Sequence, residues 1–186
     1  SMFLASMGSL YYLYLTIKGS VQPNKITFFF WGLLPMIGFF AQYEQDISSV
    51  IWVTFAMGLI PFLIVGAAFF NPQAYWELRK LDYVLATMAV LSVVIWQATD
   101  NPNLALSMAI VADFIAGVPT IMKSYTHPFS EDWRPYALNV IGFGIGIFAV
   151  QSWKFEEYSF VVYLFCMTII FTSIIFFRQK KLAYEI

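Results

Sequence analysis

Long apolar segments separated by short polar breaks dominate the pattern along this chain. The apolar segments cover residues 2–17, 26–43, 48–70, 81–98, 103–122, 135–152 and 158–177. About 20 predominantly apolar residues is the length with which a helix crosses a bilayer. The breaks between them hold Gly, Pro, Asn and Asp, which are typical of turns. The pattern predicts an all-α, polytopic membrane protein with seven transmembrane helices.

The composition agrees with that prediction and narrows the class of protein. Hydrophobic residues make up 60% of the 186 residues, charged residues only 11%, and the mean hydropathy is +0.72. So few polar side chains cannot cover a soluble globule. There is no basic aromatic strip and no Gly-rich phosphate loop, so nucleic acid is not an expected partner. With one Cys and one His we expect no metal centre, disulfide framework or other cofactor.

The basic residues are distributed asymmetrically about the seven predicted helices. An odd number of crossings places the two termini on opposite sides, and only Lys154 then lies on the side of the N-terminus. The other side carries nine of the ten basic residues, namely Lys18, Lys25, Arg79, Lys80, Lys123, Arg134, Arg178, Lys180 and Lys181. Cytoplasmic loops are enriched in Lys and Arg. We therefore expect a plasma-membrane protein with its N-terminus outside and its C-terminus in the cytoplasm.

A short internal repeat divides the chain into two similar parts. Lys18 precedes Pro23 by five residues after the first helix, and Lys123 precedes Pro128 by five residues after the fifth. An aromatic-rich helix that ends in Gln follows in both copies. The repeat predicts a first three-helix unit at 1–70, a linker loop with helix 4 at 71–102, and a second three-helix unit with a short basic tail at 103–186. A single intervening helix gives both units the same orientation, an arrangement found in transporters.

These residues resemble a known superfamily. Two helix triplets joined by one helix, an outside N-terminus, and a cytoplasmic loop with Lys and Pro after helices 1 and 5 are similar to the PQ-loop and SWEET transporters. Where that family carries a Pro-Gln pair, the second triplet of this chain has Pro119-Thr120. The resemblance implies transport of a small solute by alternating access. The stretch from Asp82 to Pro128 is also similar to uncharacterised bacterial membrane proteins, which implies a bacterial inner membrane.

Asp113 is the most informative single residue of the sequence. It lies about 10 residues, or about 15 Å, from either end of the fifth apolar segment, and thus near the predicted bilayer centre. A carboxylate at that depth costs about 2.5 to 3.5 kcal/mol on insertion scales, and such residues usually mark substrate or proton paths. Asp113 is our candidate proton carrier or solute anchor. The alternative is a structural Asp that bonds to a Tyr or Ser of a neighbouring helix.

Five further side chains are candidates for contact with the solute. Asn139 has donors and an acceptor suited to a hydroxyl or amide ligand, although Asn also bonds neighbouring helices to each other. The aromatic candidates are rings within the predicted helices, which can stack on sugars or heterocycles or attract a cation, and they are Trp31, Trp52, Tyr12 and Tyr163. Packing and contact with lipid are the alternative roles of each ring.

Pro35 and Pro119 are candidate hinges. Proline within a helix removes one backbone hydrogen bond, and Pro119 thereby frees the carbonyl of Ile115. In the family picture such hinges open a gate, whereas in many membrane helices neighbouring groups satisfy the freed carbonyl. Either role is compatible with the sequence.

The sequence therefore favours a transporter of a small polar solute, such as a sugar, an amino acid or a vitamin, and proton coupling is an open possibility. An enzyme is not expected, because no nucleophile and base lie at a common depth. The alternative function is a seven-helix ligand sensor or an accessory subunit of a membrane complex. The expected partners are the solute and the lipid bilayer, and glycine-rich helix faces could support a homo-oligomer.

Overall fold

The computed structural model describes residues 2–43, 51–74, 76–98, 102–148, 150 and 153–184. Within these ranges it contains seven α-helices, two short 3-10 turns and no strand. The helices are α1 Met2–Ile17, α2 Lys25–Tyr43, α3 Ile51–Phe70, α4 Lys80–Gln97, α5 Pro102–Thr126, α6 Trp133–Phe148 and α7 Phe155–Tyr184. The prediction of an all-α chain with seven helices is confirmed for the described residues.

The ends of α1 and α2 follow from local chemistry. Gly19 has a φ of +72°, and the Ser20 amide bonds to the Leu15 carbonyl at 2.9 Å across the end of α1. This left-handed glycine closure is a common helix terminus. The Asn24 side chain then accepts the amide protons of Ile26 and Thr27 at 3.0 and 3.2 Å, which caps the start of α2.

Two helices extend beyond their apolar segments at the C-terminal end. The apolar pattern ends at residues 122 and 177, whereas α5 continues to Thr126 and α7 to Tyr184. The added turns are polar, and several of their side chains have partners within the bundle. The Arg178 guanidinium donates to the Tyr125 carbonyl at 3.0 Å, and the Gln179 amide donates to the Pro128 carbonyl at 2.9 Å. The hydropathy pattern predicts the apolar part of a helix, but it does not predict the residue at which the backbone hydrogen bonding of the helix ends.

Six of the helices form a closed ring. Helix α1 packs on α3, α3 on α2, α2 on α5, α5 on α7, α7 on α6, and α6 on α1. Helix α4 lies outside this ring, against α5 and, less extensively, α2. The largest cluster of buried apolar side chains lies within the ring, with Tyr12, Phe28, Ile64, Tyr136 and Phe171 among its members.

One end of the bundle gathers the connections after α1, α3 and α5 and the last turns of α7. We call it the basic end, defined by residues 17–25, 70–74, 76–82, 123–136 and 176–184. Hydrogen bonds join these segments: the Gln22 amide donates to the Ser130 carbonyl at 2.8 Å, and Asn71 donates to the Ile17 carbonyl at 2.6 Å. Asn24 also donates to Asp82 at 3.1 Å, which ties the first connection to the start of α4.

In the part of the chain that the structure describes, two helical segments are long and apolar enough to cross a membrane, Leu106–Thr126 in α5 and Tyr158–Ala183 in α7. The apolar parts of α2 and α3, Lys25–Met36 and Phe55–Phe70, are shorter. These findings are compatible with a membrane location. A membrane crossing by all seven helices stays a prediction.

Candidate functional site

Asp113 and Tyr163 meet between α5 and α7. The Asp113 side chain is 7% exposed, and the Tyr163 hydroxyl donates to its Oδ2 atom at 2.6 Å. The packing of α5 on α7 brings the two side chains together. A buried carboxyl needs such a partner, because an unpaired one carries the full cost of lost hydration.

The inner face of α7 changes in chemistry along its length. A stripe of side chains spaced four residues apart runs from the end opposite the basic end toward it, in the order Ser159, Tyr163, Met167, Phe171 and Ile175. Residues with this spacing lie on one face of a helix. Ser159 is buried and, among the described residues, its hydroxyl has no hydrogen-bond partner. The stripe is therefore polar around Tyr163 and apolar between Tyr163 and the basic end.

A matching face of α5 carries Asp113, Gly117, Thr120 and Ser124. Thr120 and Ser124 are fully buried, and neither hydroxyl has a partner within the described part of the chain. A Cβ atom on Gly117 would lie 3.2 Å from the Met167 methyl group and 3.5 Å from the Trp31 ring. This face of α5 is thus directed at α7 and at α2. The contact with α2 joins the part of the ring formed by α5 to α7 to the part formed by α1 to α3.

Five aromatic rings from four helices contact one another in a closed cycle on the side of the Asp113–Tyr163 pair that faces the basic end. We call it the aromatic cluster, and its members are Tyr12 of α1, Phe28 and Trp31 of α2, Tyr136 of α6 and Phe171 of α7. Successive ring centroids lie 4.7 Å (Tyr12 to Phe28), 5.2 Å (Phe28 to Trp31), 5.7 Å (Trp31 to Phe171), 4.9 Å (Phe171 to Tyr136) and 5.8 Å (Tyr136 to Tyr12) apart. These separations are those of favourable ring contacts. The aromatic cluster fills the centre of the ring between the pair and the basic end.

A buried polar cluster adjoins the aromatic cluster at the basic end. The Glu131 carboxylate forms an ion pair with Lys123, and the two side chains are 0% and 1% exposed. The hydroxyls of Tyr12 and Tyr136 donate to Glu131 Oε2 at 2.7 and 3.3 Å. Lys123 also donates to the Gln22 carbonyl. We call these five residues the Glu131 cluster, and it joins α1, α5, α6 and the connection after α1.

The neighbouring ion pair at the surface differs in kind. Arg134 and Asp132 pair at 2.5 Å, with side chains that are 56% and 14% exposed. Hydrogen bonding to Asp132 and its negative charge raise the pKa of the Arg134 guanidinium above its ordinary value. Exposed pairs of this type contribute little to stability, so Asp132 is a natural control for Glu131.

The candidate residues from the sequence fall into separate places. Asp113 and Tyr163 form one pair, and Trp31 lies beside Gly117 one turn further along α5. Tyr12 belongs to the Glu131 cluster at the basic end. Trp52 is 66% exposed and contacts Phe39 and Phe55 of α2 and α3.

Asn139 lies where α1 and α6 come close together. A Cβ atom on Gly8 would lie 2.6 Å from the Pro135 carbonyl oxygen and closer still to the Asn139 amide. The Asn139 Oδ1 atom is buried and, among the described residues, has no hydrogen-bond partner. Asn139 is thus separate from the Asp113–Tyr163 pair.

The two candidate hinges have different surroundings. Pro119 is buried within α5, which continues as a helix on both sides of it. The Thr27 hydroxyl donates to the Ala116 carbonyl at 2.6 Å, next to the Ile115 carbonyl that proline deprives of its amide partner. Pro35 is half-buried within α2.

Sequence reasoning missed Glu131 and Lys123 as a pair, because both lie in the polar connection between the fifth and sixth apolar segments, where burial is not expected. A signal was available, since an acid and a base eight residues apart bracket the His127-Pro128 turn of the internal repeat. Burial of that turn against Gln179 of α7 could not be foreseen. The Gln179 amide donates to the Glu131 carbonyl at 2.9 Å.

Comparison with known proteins gave no identification: no family model, no curated protein and no solved structure matches this chain. Within the described residues, no group of three or more His, Cys, Asp and Glu side chains could hold a metal ion. Function must therefore be argued from the helix arrangement and the polar groups inside it.

Proposed function

We propose that this protein is a membrane carrier that moves a small polar solute by alternating access. The apolar composition and the two membrane-length helices support a location in a bilayer. The carrier consists of two three-helix units, α1 to α3 and α5 to α7, with α4 as the linker.

The order of helices in the ring carries this proposal. The contacts of the two units correspond under an exchange of α1 with α5, α2 with α6 and α3 with α7. Under this exchange the α1–α3 contact becomes α5–α7, and the α2–α3 contact becomes α6–α7. The same exchange turns α1–α6 into α5–α2, and all of these pairs are in contact. Such twofold repeats about an axis along the membrane normal are a known transporter architecture, with the substrate between the units. The short sequence repeat supports the same division.

The proposed solute and proton site is the Asp113–Tyr163 pair, with Ser159 and Trp31 beside it. Its polar atoms lie in otherwise apolar surroundings, where intramembrane acids usually serve transport. The unpartnered Ser159 hydroxyl and Trp31 indole N–H are available to a polar ligand among the described side chains. Trp52 and Asn139 are not part of this proposed site, because they lie elsewhere in the bundle.

The proposed orientation places the basic end in the cytoplasm. Its support is the excess of Lys and Arg at that end. The aromatic cluster and the Glu131 cluster then separate Asp113 from the cytoplasm, so the described conformation is the carrier closed toward the inside.

A ligand screen by thermal unfolding tests the proposed function. Purified protein is heated with sugars, amino acids and vitamins in turn, each at two pH values. A ligand present at 100 times its Kd stabilises the folded protein by about 2.7 kcal/mol. We expect one chemical class to raise the unfolding temperature by an amount that depends on pH, and we expect Asp113→Asn to keep the rise and lose its dependence on pH.

Asp132→Asn is the matched control of the screen, because it removes a partly exposed carboxylate whose partner Arg134 is at the surface, and it should leave the rise unchanged. If no class of solute stabilises the protein, the carrier proposal is wrong and an accessory subunit becomes the better account. If a solute binds but is never moved across a bilayer, the protein is a ligand sensor.

A further inference from the structure

We infer that the bond from Tyr12 to Glu131 is a latch that holds the two halves of the carrier together at the basic end. This inference rests on the proposed function, since it assigns the gate of the proposed carrier. It identifies which polar contacts must break when the protein opens to the cytoplasm.

The contacts of the Glu131 cluster divide into two kinds. The first half of the ring is α1 to α3 with their connections, and the second half is α5 to α7 with theirs. Lys123, Glu131 and Tyr136 all belong to the second half, so the ion pair and the bond from Tyr136 to Glu131 lie within one half. Tyr12 and Gln22 belong to the first half. At the basic end, the hydrogen bonds that cross between the halves among the described residues are those from Tyr12 to Glu131, from Lys123 to the Gln22 carbonyl, and from the Gln22 amide to Ser130.

This division lets the halves separate without leaving a charge unpaired. An ion pair across the gate would lose its partner at each opening, and a buried charge without a partner is costly. Here Glu131 and Lys123 move together and stay neutralised by each other. Opening breaks hydrogen bonds only, and water at the cytoplasmic surface can replace each of them.

The strength of the latch comes from the charge of Glu131. A hydroxyl that donates to a carboxylate forms a stronger bond than one that donates to a neutral acceptor. The Tyr12 bond is short, at 2.7 Å, and it is fully buried between the halves. The Tyr12 ring also belongs to the aromatic cluster, so release of the hydroxyl and separation of the rings are parts of one movement.

A pair of tyrosine variants tests the latch. Tyr12→Phe removes the bond that crosses between the halves, and Tyr136→Phe removes a bond to the same carboxylate oxygen from within the second half. Both variants keep the ring that the aromatic cluster needs. If the latch is real, only Tyr12→Phe favours the state that is open at the basic end.

The readout is the reactivity of a buried cysteine at Ser124. The Ser124→Cys substitution is introduced after Cys166→Ala, and labelling by a hydrophilic maleimide is followed in lipid nanodiscs, where both ends are accessible. Ser124 is fully buried, lies next to Lys123 in sequence, and shares the α5 face of Gly117 that meets Trp31 of the first half. An Ala89→Cys variant reports on a buried position of α4 outside the ring, packed with Phe30 of α2 and Ala116 of α5.

We expect Tyr12→Phe to raise the labelling rate at residue 124 about tenfold, the change in population that about 1.4 kcal/mol produces. Labelling at residue 89 should not change, and Tyr136→Phe should leave both rates near those of the parent. The latch is overturned if Tyr12→Phe has no effect, if both tyrosine variants act alike, or if residue 89 is exposed as well.

The experiment needs no solute, so it separates the latch from the carrier proposal. A selective rise at residue 124 in a protein that moves no solute would support the latch and refute the carrier. Solute transport together with an unchanged labelling rate at residue 124 would support the carrier and refute the latch.

Discussion

At the scale of single residues, burial decides what each charge does. Asp132 and Glu131 are adjacent in sequence and identical in charge, yet one forms an exposed ion pair and the other a buried one. Removal of one partner from a buried pair leaves an uncompensated charge and costs about 3 to 5 kcal/mol, whereas an exposed pair is worth about 0 to 1 kcal/mol. Neighbours along the chain therefore make very different contributions to stability.

Glu131→Gln should accordingly lower the free energy of unfolding by about 3 kcal/mol or more, because Lys123 loses its counter-charge while remaining buried. Asp132→Asn should lower it by less than about 1 kcal/mol. Unfolding in mixed micelles of increasing denaturing detergent compares the two variants. Equal losses would show that Glu131 is not buried as described.

At the scale of helices, the apolar pattern predicted the existence and approximate bounds of all seven. It did so because a continuous apolar segment of about 20 residues matches the length of a helix that crosses a bilayer, and a helix satisfies all of its backbone hydrogen bonds within the segment. It could not predict the polar last turns of α5 and α7, which depend on partners such as Tyr125 and Pro128 from other segments.

The candidate site was predicted in part. Asp113 was found because one acid within a long apolar segment is conspicuous in any sequence. A bond from Asp113 to a Tyr or Ser of a neighbouring helix was the alternative role predicted for it, but Tyr163 was not predicted as the partner, since the face of α7 that meets α5 is fixed by packing between distant segments. The Glu131 cluster was missed for the same reason, because loops that are polar in sequence become buried only when four helices meet around them.

Close packing between helices can be tested at Gly8. Its Cβ position lies against the Pro135 carbonyl and Asn139 of α6, so Gly8→Ala should force α1 and α6 apart at a cost of about 1 to 3 kcal/mol. Gly66→Ala is the control, because a Cβ atom there meets nothing within 4 Å. Its effect should be neutral or stabilising by up to about 1 kcal/mol, since Ala favours the helix.

Thermal unfolding of both glycine variants measures this difference. A loss of stability in Gly66→Ala as large as that in Gly8→Ala would contradict the close approach of α1 and α6. A further variant, Asn139→Ala combined with Gly8→Ala, should recover only part of the loss, because the Pro135 carbonyl still obstructs the added methyl group.

At the scale of the whole molecule, the proposed orientation in the membrane rests on the distribution of basic residues between the two ends. Lys180 and Lys154 are exposed and lie at opposite ends of α7. Lys180→Cys should react with an impermeant thiol reagent only from the cytoplasmic side, and Lys154→Cys only from the outside, each in a Cys166→Ala background. Labelling of both from one side would contradict an odd number of crossings between them.

Solute movement across a bilayer tests the central claim of a carrier most directly. A solute that stabilises the purified protein is supplied to proteoliposomes with an imposed pH gradient, and its accumulation is compared with simple exchange at equal pH. The parent and Asp132→Asn should accumulate the solute, whereas Asp113→Asn should retain exchange and lose accumulation. Absence of any flux of a solute that binds would contradict the carrier, and undiminished accumulation by Asp113→Asn would remove Asp113 as the proton site.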